Sequence, residues 1–347
     1  MPQFAKPRRL RTGDTIATVS PSWGGPGALP QRYMAGKTAL EQTFGVRVVE
    51  MRHTLAPAEW VAQNPQARAD DLMAAFADPD ISGIIATIGG EDCIRLLPFL
   101  DLGIAANPKV FLGFSDTTAL HLACYAAGVT SFYGPSIMAG FAENGGMHAY
   151  TADSVLRTLF SGEPAGLVSN NTEGWTVERT DWSLPGNIAP RRKLHPADAP
   201  RILQGSGMAT GHLLGGCVEV LEMAKGTAWW PDKTAWSGAI LFLETSEEAP
   251  SASYIRHCLR NYAATGVLEG LAGLLIARAD PGEDPRYQAA IEAAILQILA
   301  EAGRTDLPVL AGLDFGHTQP MLTLPYGVQA RIDCSAATLT IVEAGVI

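Results

Sequence analysis

Between Thr15 and Tyr133 four short runs of apolar and β-branched residues alternate with helical segments, and this alternation constrains the fold more than any other feature. The runs are Thr15 to Val19, Val46 to Glu50, Gly83 to Ile88 and Val110 to Gly113, each bounded by turn residues, and they read as buried strands. Helices are expected over Gln31 to Phe44, Gln66 to Ala77, Cys93 to Leu100 and Ala119 to Ala127, with Asp70 and Asp71 on the outward side of the second. Strands separated by helices cannot pair as hairpins, so the pattern predicts an α/β domain with a parallel sheet covered on both faces.

In such a sheet, ligands collect at the C-terminal ends of the strands. Two of these ends carry residues suited to chemistry. In Gly113-Phe114-Ser115-Asp116-Thr117, Ser115 sits where a strand turns into a helix. Its hydroxyl would project from the sheet edge, and the first N–H groups of the helix would face any negative charge forming beside it. This is the logic of a nucleophile elbow without the second glycine of G-x-S-x-G, and a simple helix cap is the alternative. Gly89-Gly90 ends the neighbouring strand and lets backbone approach a ligand closely. The N–H groups of Gly90 and Asp116 are therefore a candidate oxyanion pair, with Gly89 lining the same space; a tight turn is the alternative. The loop Ser20 to Gly27 is glycine-rich but is not G-x-G-x-x-G, and Pro21 and Pro26 make it a poor phosphate cradle.

After a helix over Thr151 to Phe160 the periodicity stops until Gly207. A connection of that length is either a functional lid or a linker. Trp175, Trp182 and the basic triplet Arg191-Arg192-Lys193 favour a lid over a packed surface excursion. The chain then resumes with Gly211 to Cys217, a helix over Val218 to Met223 and the strand Gly238 to Leu243, which runs directly into Glu244. A helix over Ser251 to Ala264, the strand Gly273 to Ala277, an amphipathic helix over Tyr287 to Glu301 and a strand from Val309 ending at His317 follow. Val328 to Ile332 and Thr338 to Val342 read as a closing hairpin. The expected division is 1–160, a connection over 161–207, and a second α/β domain over 208–347.

With 347 residues, 47% of them hydrophobic, the chain can bury a core large enough for two domains. A net charge of −10 argues against a nucleic-acid partner and for a small molecule. No apolar run reaches the roughly 18 to 20 residues of a membrane span, and the basic stretch Met1 to Arg11 lacks the apolar core of a secretory signal. Five scattered cysteines without a C-x-x-C pair fit reduced thiols in a cytoplasm. Neither H-E-x-x-H nor a Cys/His cluster is present, so no metal or cofactor is expected.

Ser115, Glu244 and His317 each follow an apolar strand. Acyl transfer needs a hydroxyl, an imidazole to take its proton and a carboxylate to fix the imidazole, and these three residues supply that set. A carboxylate ending a six-residue apolar strand requires a partner. His212 is the reserve histidine, whereas His121 and His257 lie on expected helices and read as packing or surface residues. A Cys217 thiolate at a helix start is a weaker nucleophile candidate.

These residues resemble the serine LD-carboxypeptidases, including the microcin C immunity branch. The resemblance rests on Gly13-Asp14-Thr15-Ile16-Ala17, Ser20-Pro21-Ser22, Gly89-Gly90, Gly113-Phe114-Ser115-Asp116, Tyr133-Gly134-Pro135, Gly211 to Gly216, Leu241 to Glu244, His317 to Met321 and Leu324 to Gly327. It implies a Ser115–Glu244–His317 triad, a flavodoxin-like N-terminal domain, a swivelling β/β/α C-terminal domain and a homodimer without metal. It also implies a substrate that is either a murein tetrapeptide or a peptidyl or aminoacyl nucleotide. The Trp-bearing connection and the run Thr245 to Pro250 look more like the nucleotide-cleaving branch, in which Trp182, or else Trp175, would stack on the base. Cys217 and Glu247 are the remaining positions expected to meet substrate. A nucleotide- or sugar-binding α/β module without catalysis is the non-enzymatic alternative.

Overall fold

The computed structural model describes residues 4–282 and 284–347. Among them, the first half builds strands β1 (Thr15–Val19), β2 (Arg47–Glu50), β3 (Gly83–Ala86), β4 (Val110–Gly113) and β5 (Phe132–Tyr133). All pair in parallel, in the order 2-1-3-4-5, which is a doubly wound arrangement of the flavodoxin type. β3 and β4 are buried along their whole length, as their continuous apolar runs require.

The second half builds β6 (Gly166–Leu167), β7 (Arg201–Gln204), β8 (Met208–Cys217), β9 (Ala239–Glu244), β10 (Gly273–Ala277) and β11 (Val309–Leu313). β12 (Leu324–Pro325) then crosses back and pairs antiparallel with β5, so the C-terminal part completes the first sheet. β13 (Gln329–Asp333) and β14 (Thr338–Ile341) form the closing hairpin. The second sheet runs 6-14-13-8-9-10-11-7, with a parallel centre from β8 to β11 and antiparallel flanks. Helices Ala252–Ala264 and Tyr287–Glu301 pack beside each other on this half, the former capped by Ser251, whose hydroxyl accepts from the Tyr254 N–H at 3.2 Å. The two halves share one apolar core: Phe114, Leu122, Tyr125 and Tyr133 join the cluster formed by Phe242, Trp236 and their neighbours.

Three expectations are corrected. Asp71 does not face outward: it is buried and accepts from the His53 N–H at 2.8 Å, with its other oxygen 3.0 Å from His53 Nδ1, because the loop after β2 folds over that side of helix Pro65–Ala77. Cys93–Phe99 is a 3-10 helix with Pro98 inside it, a residue that cannot donate to an α-helical ladder. The connection is not structureless: it contributes β6, β7 and a turn of 3-10 helix at Pro185–Ile188. β7 escapes a pattern search because it is a partly exposed edge strand with polar residues at both ends.

Among the described residues no helix is long and apolar enough to cross a membrane, and no group of three or more His, Cys, Asp and Glu is placed to hold a metal ion.

Candidate active site

β4 ends at Gly113, and the backbone then folds back within two residues. Phe114 is extended, while Ser115 adopts φ +62°, a left-handed conformation that costs a non-glycine residue about 1 to 3 kcal/mol. The next residues enter a 3-10 turn and helix Thr118–Ala126, tied down by the Thr117 hydroxyl donating to the Phe114 carbonyl at 2.8 Å. The Ser115 N–H donates to the Tyr133 hydroxyl at 2.9 Å. Gly89 lies against this turn. A methyl group there would sit 3.0 Å from Ser115 Oγ, so glycine keeps the space beside the hydroxyl open. Gly90, at φ +153°, is exposed at the rim. The Asp116 side chain is buried and accepts from the Ser22 hydroxyl at 2.5 Å and the Cys93 N–H at 2.7 Å; burial raises its pKa above the ordinary carboxylate value.

From the second sheet, β9 delivers Glu244 in register with Cys217 of β8. β11 delivers His317 through the turn Asp314-Phe315-Gly316, which is anchored by Arg278 Nε on Asp314 at 2.9 Å. Gly316 has φ +87°, and a Cβ there would run into the Glu244 carboxylate, so this corner too requires glycine. The residues meet as follows. His317 Nδ1 is 2.5 Å from Glu244 Oε2, and His317 Nε2 is 3.0 Å from Ser115 Oγ, across 202 positions of sequence. Phe114 braces the imidazole edge-on, with ring centroids 5.2 Å apart. The Tyr133 hydroxyl donates to the other Glu244 oxygen, so one tyrosine joins the Ser115 backbone to the buried carboxylate.

A second carboxylate reaches the same histidine. Glu247 Oε2 lies 3.0 Å from His317 Nε2. Burial pulls the imidazole pKa down, but Glu244 and Glu247 together outweigh it and raise His317 to about 10. The hydrogen bond to His317 in turn lowers Glu247 to about 2, and Glu244 is pushed up by its burial against the opposing pull of His317 and Tyr133.

The other expected residues lie as follows. Trp182 is half-buried with the Arg32 guanidinium 4.3 Å from its ring centroid, and Trp175 packs against His195 and Arg278. The connection reaches the histidine corner in two places. Thr176 and Gln319 exchange backbone hydrogen bonds, and Arg179 donates to the Glu247 carbonyl at 2.9 Å. Cys217 is buried beside the Glu244 carboxylate, and burial with Glu244 and Glu219 drives its thiol far above the ordinary value. The expectation of a helix-stabilised thiolate is therefore overturned. His212 is also displaced from the site: its Nε2 faces the Ala235 carbonyl at 2.8 Å and the Tyr125 hydroxyl at 3.2 Å. His121 is buried between Gly113 and Ser131, and His257 is exposed. Sequence reasoning missed the part taken by Tyr133. Its position at a strand end just before Gly134-Pro135 was a usable signal.

A strained serine turn at one sheet edge thus meets a histidine and a buried carboxylate arriving from a second sheet. Residues 16–134 match the LD-carboxypeptidase N-terminal domain and residues 210–332 the LD-carboxypeptidase C-terminal domain. The chain belongs to the LD-carboxypeptidase family and is a serine-type carboxypeptidase. It is 30% identical to the microcin C7 self-immunity protein MccF of Escherichia coli over 99% of this chain and 96% of that one. A crystal structure of an MccF-like protein from Streptococcus pneumoniae in complex with AMP superposes with a TM-score of 0.85 at 31% identity, covering 94% of this chain and 98% of that one. MccF in complex with aspartyl sulfamoyl adenosine gives a TM-score of 0.85 at 28% identity, covering 99% and 100%.

Proposed function

We propose that Ser115 is the nucleophile of this carboxypeptidase, His317 its general base and then acid, and Glu244 the residue that holds the imidazole in the right tautomer. The observation that carries this reading is the unbroken chain from Ser115 Oγ through His317 to Glu244 at 3.0 and 2.5 Å. The ring first yields the Nε2 proton that Glu247 favours at rest to that carboxylate or to water; Ser115 Oγ then attacks the scissile carbonyl while its own proton passes to the neutral Nε2. That proton then moves to the leaving nitrogen as the C–N bond breaks, and water repeats the sequence in reverse roles to release the acyl group. The N–H groups of Gly90 and Asp116 stabilise the tetrahedral oxyanion, each worth on the order of 10² to 10³ in turnover. The division into lobes over 1–160 and 208–347, with 161–207 as a lid, belongs to the same proposal.

The substrate we propose is an amide or amide-like bond near a peptide C-terminus, with an aminoacyl or peptidyl nucleotide of the microcin type as the preferred form. The nucleotide ligands of the similar structures support that preference. Trp182 is the residue we assign to the base. The decisive experiment compares wild type and Ser115→Ala on aspartyl sulfamoyl adenosine and on a murein tetrapeptide. Turnover in the variant is expected to fall on the order of 10⁶-fold on whichever substrate wild type cleaves. Persistence of that activity would overturn the assignment, and the wild-type ratio between the two substrates decides between them.

A further inference from the structure

The hydrolytic scheme uses the Asp116 N–H but leaves its side chain, and the Ser20-Pro21-Ser22 run, without a part. The structure joins the two beside the serine turn. Asp116 is fully buried, and its Oδ2 accepts from the Ser22 hydroxyl at 2.5 Å and from the Cys93 N–H at 2.7 Å. Ser22 lies in the loop after β1 and Cys93 in the segment after β3, strands that pair with each other. One carboxylate oxygen, on the residue that follows the nucleophile, therefore ties together the loops of two neighbouring strands. Gly90 is packed against the first of these loops. A Cβ at Gly90 would stand 2.3 Å from Ser22 Oγ and 3.0 Å from the Trp23 nitrogen, and the Trp23 N–H donates to the Gly89 carbonyl at 3.2 Å. Arg68, also buried, closes the arrangement from helix Pro65–Ala77. Its guanidinium donates to the Pro21 and Ser22 carbonyls at 3.1 and 3.0 Å and to the Asp92 carboxylate at 2.8 and 3.1 Å.

We propose that the Asp116 side chain is a positioning residue for the oxyanion hole: through Ser22 and Cys93 it fixes the Gly90 N–H at its working distance from the Asp116 N–H. The inference rests on the proposed assignment of those two N–H groups to the oxyanion. Taking a carboxylate out of water is costly, and an apolar side chain would fill the same space without that cost. What the carboxylate adds is a pair of directed bonds from two loops that no main-chain ladder holds together. Directed bonds matter here because a donor acts on an oxyanion only from about 2.7 to 3.1 Å, measured to where the charge develops. A drift of about 1 Å in the Gly90 peptide is thus felt in the chemical step and not in substrate binding.

The test combines kinetics with crystal structures of three variants. Ser22→Ala removes one of the two bonds, Asp116→Ala removes both, and Asp116→Asn keeps an acceptor oxygen for them. On aspartyl sulfamoyl adenosine or the murein tetrapeptide, whichever wild type cleaves, kcat is expected to fall about tenfold in Ser22→Ala and about 10²-fold in Asp116→Ala. KM should stay within about twofold throughout, and Asp116→Asn should stay within about tenfold of wild type in kcat. A purely structural role would lower the thermal midpoint and leave kcat per folded molecule unchanged, so it would not produce this split. The crystal structures read the geometry without any substrate. In Ser22→Ala the separation of the Gly90 and Asp116 nitrogens should change by about 1 Å, while Ser115 Oγ keeps its 3.0 Å contact with His317. If Asp116→Ala does not fold, Ser22→Ala carries the test, since it removes only a hydroxyl. An unmoved Gly90 in Ser22→Ala, or a loss of kcat as deep in Asp116→Asn as in Asp116→Ala, would overturn the inference. A displaced Gly90 with unchanged kcat would instead defeat the oxyanion assignment on which it rests, and residual turnover in Ser115→Ala would defeat the nucleophile.

Discussion

The end of β4 and the end of β9 place polar groups in the same cleft by different physics. At β4 the side chain is small and the backbone carries the strain: Ser115 is held at φ +62° by a tight turn and by one hydrogen bond to Tyr133. At β9 the backbone is regular, still in register with β8, and the side chain carries the cost. Glu244 is a buried carboxylate that is tolerable only because His317 and Tyr133 pair with it. Local geometry therefore makes the first end, and distant partners make the second. The sharpest way to break this contrast is to leave the carboxylate's shape and remove its charge. Glu244→Gln is expected to lower turnover by about 10⁴-fold, as an amide in this position does in a measured serine protease, while Ser115 keeps its backbone conformation. Steady-state kinetics on the substrate cleaved by wild type checks it. A loss below tenfold would mean that Glu247 or another group can orient the ring.

The next largest effect tests whether the second end tolerates backbone change. Gly316→Ala puts a methyl group into the Glu244 carboxylate and an L residue at φ +87°. Turnover should drop by about 10², since small displacements of a positioned base cost on that order. The thermal midpoint should fall as well. Tyr133→Phe addresses the link between the ends: it removes the donor to a buried carboxylate and the acceptor of the Ser115 N–H together. Leaving such groups unpaired should cost about 1 to 3 kcal/mol in denaturant unfolding. An unchanged midpoint would show that the two ends are held independently.

The same contrast explains what could be read in the sequence. The bounds of β1 and β10, the serine turn and the doubly wound first half follow from local pattern, because short apolar runs and glycine positions decide them. Ser115, Glu244 and His317 were legible as strand-end residues. Their convergence is expected from their shared strand-end placement and the resemblance and not from local pattern, since it depends on β12 returning to the first sheet and bringing the His317 loop with it. Asp71 departs from its expected outward position, and the reserve histidine His212 lies away from the site, for a related reason: each is buried by segments remote in sequence, the loop bearing His53 in one case and Ala235 with Tyr125 in the other. The contact of Glu247 with His317 spans 70 positions and leaves no periodic trace.

The smallest expected effect comes from the titration of the paired histidine. His317 is raised from 6.5 to about 10 in the folded protein. A group whose pKa rises on folding binds its proton more tightly in the native state. Its contribution is therefore complete below about pH 6.5 and is lost as the pH climbs through 10. Desolvating an ion pair offsets much of the attraction between its members, so the loss should amount to about 1 to 2 kcal/mol between pH 7 and 10. Urea unfolding of wild type and His317→Gln over this range isolates it, because other alkaline titrations are common to both. Wild type should lose stability relative to the variant as the pH rises. Glu247→Gln should move that decline to lower pH, since one of the two carboxylates favouring the imidazolium is gone. Parallel curves for all three proteins would mean that the ring is neutral at rest, and the buried carboxylate would then be held by hydrogen bonds from Tyr133 and an uncharged imidazole, with no ion pair.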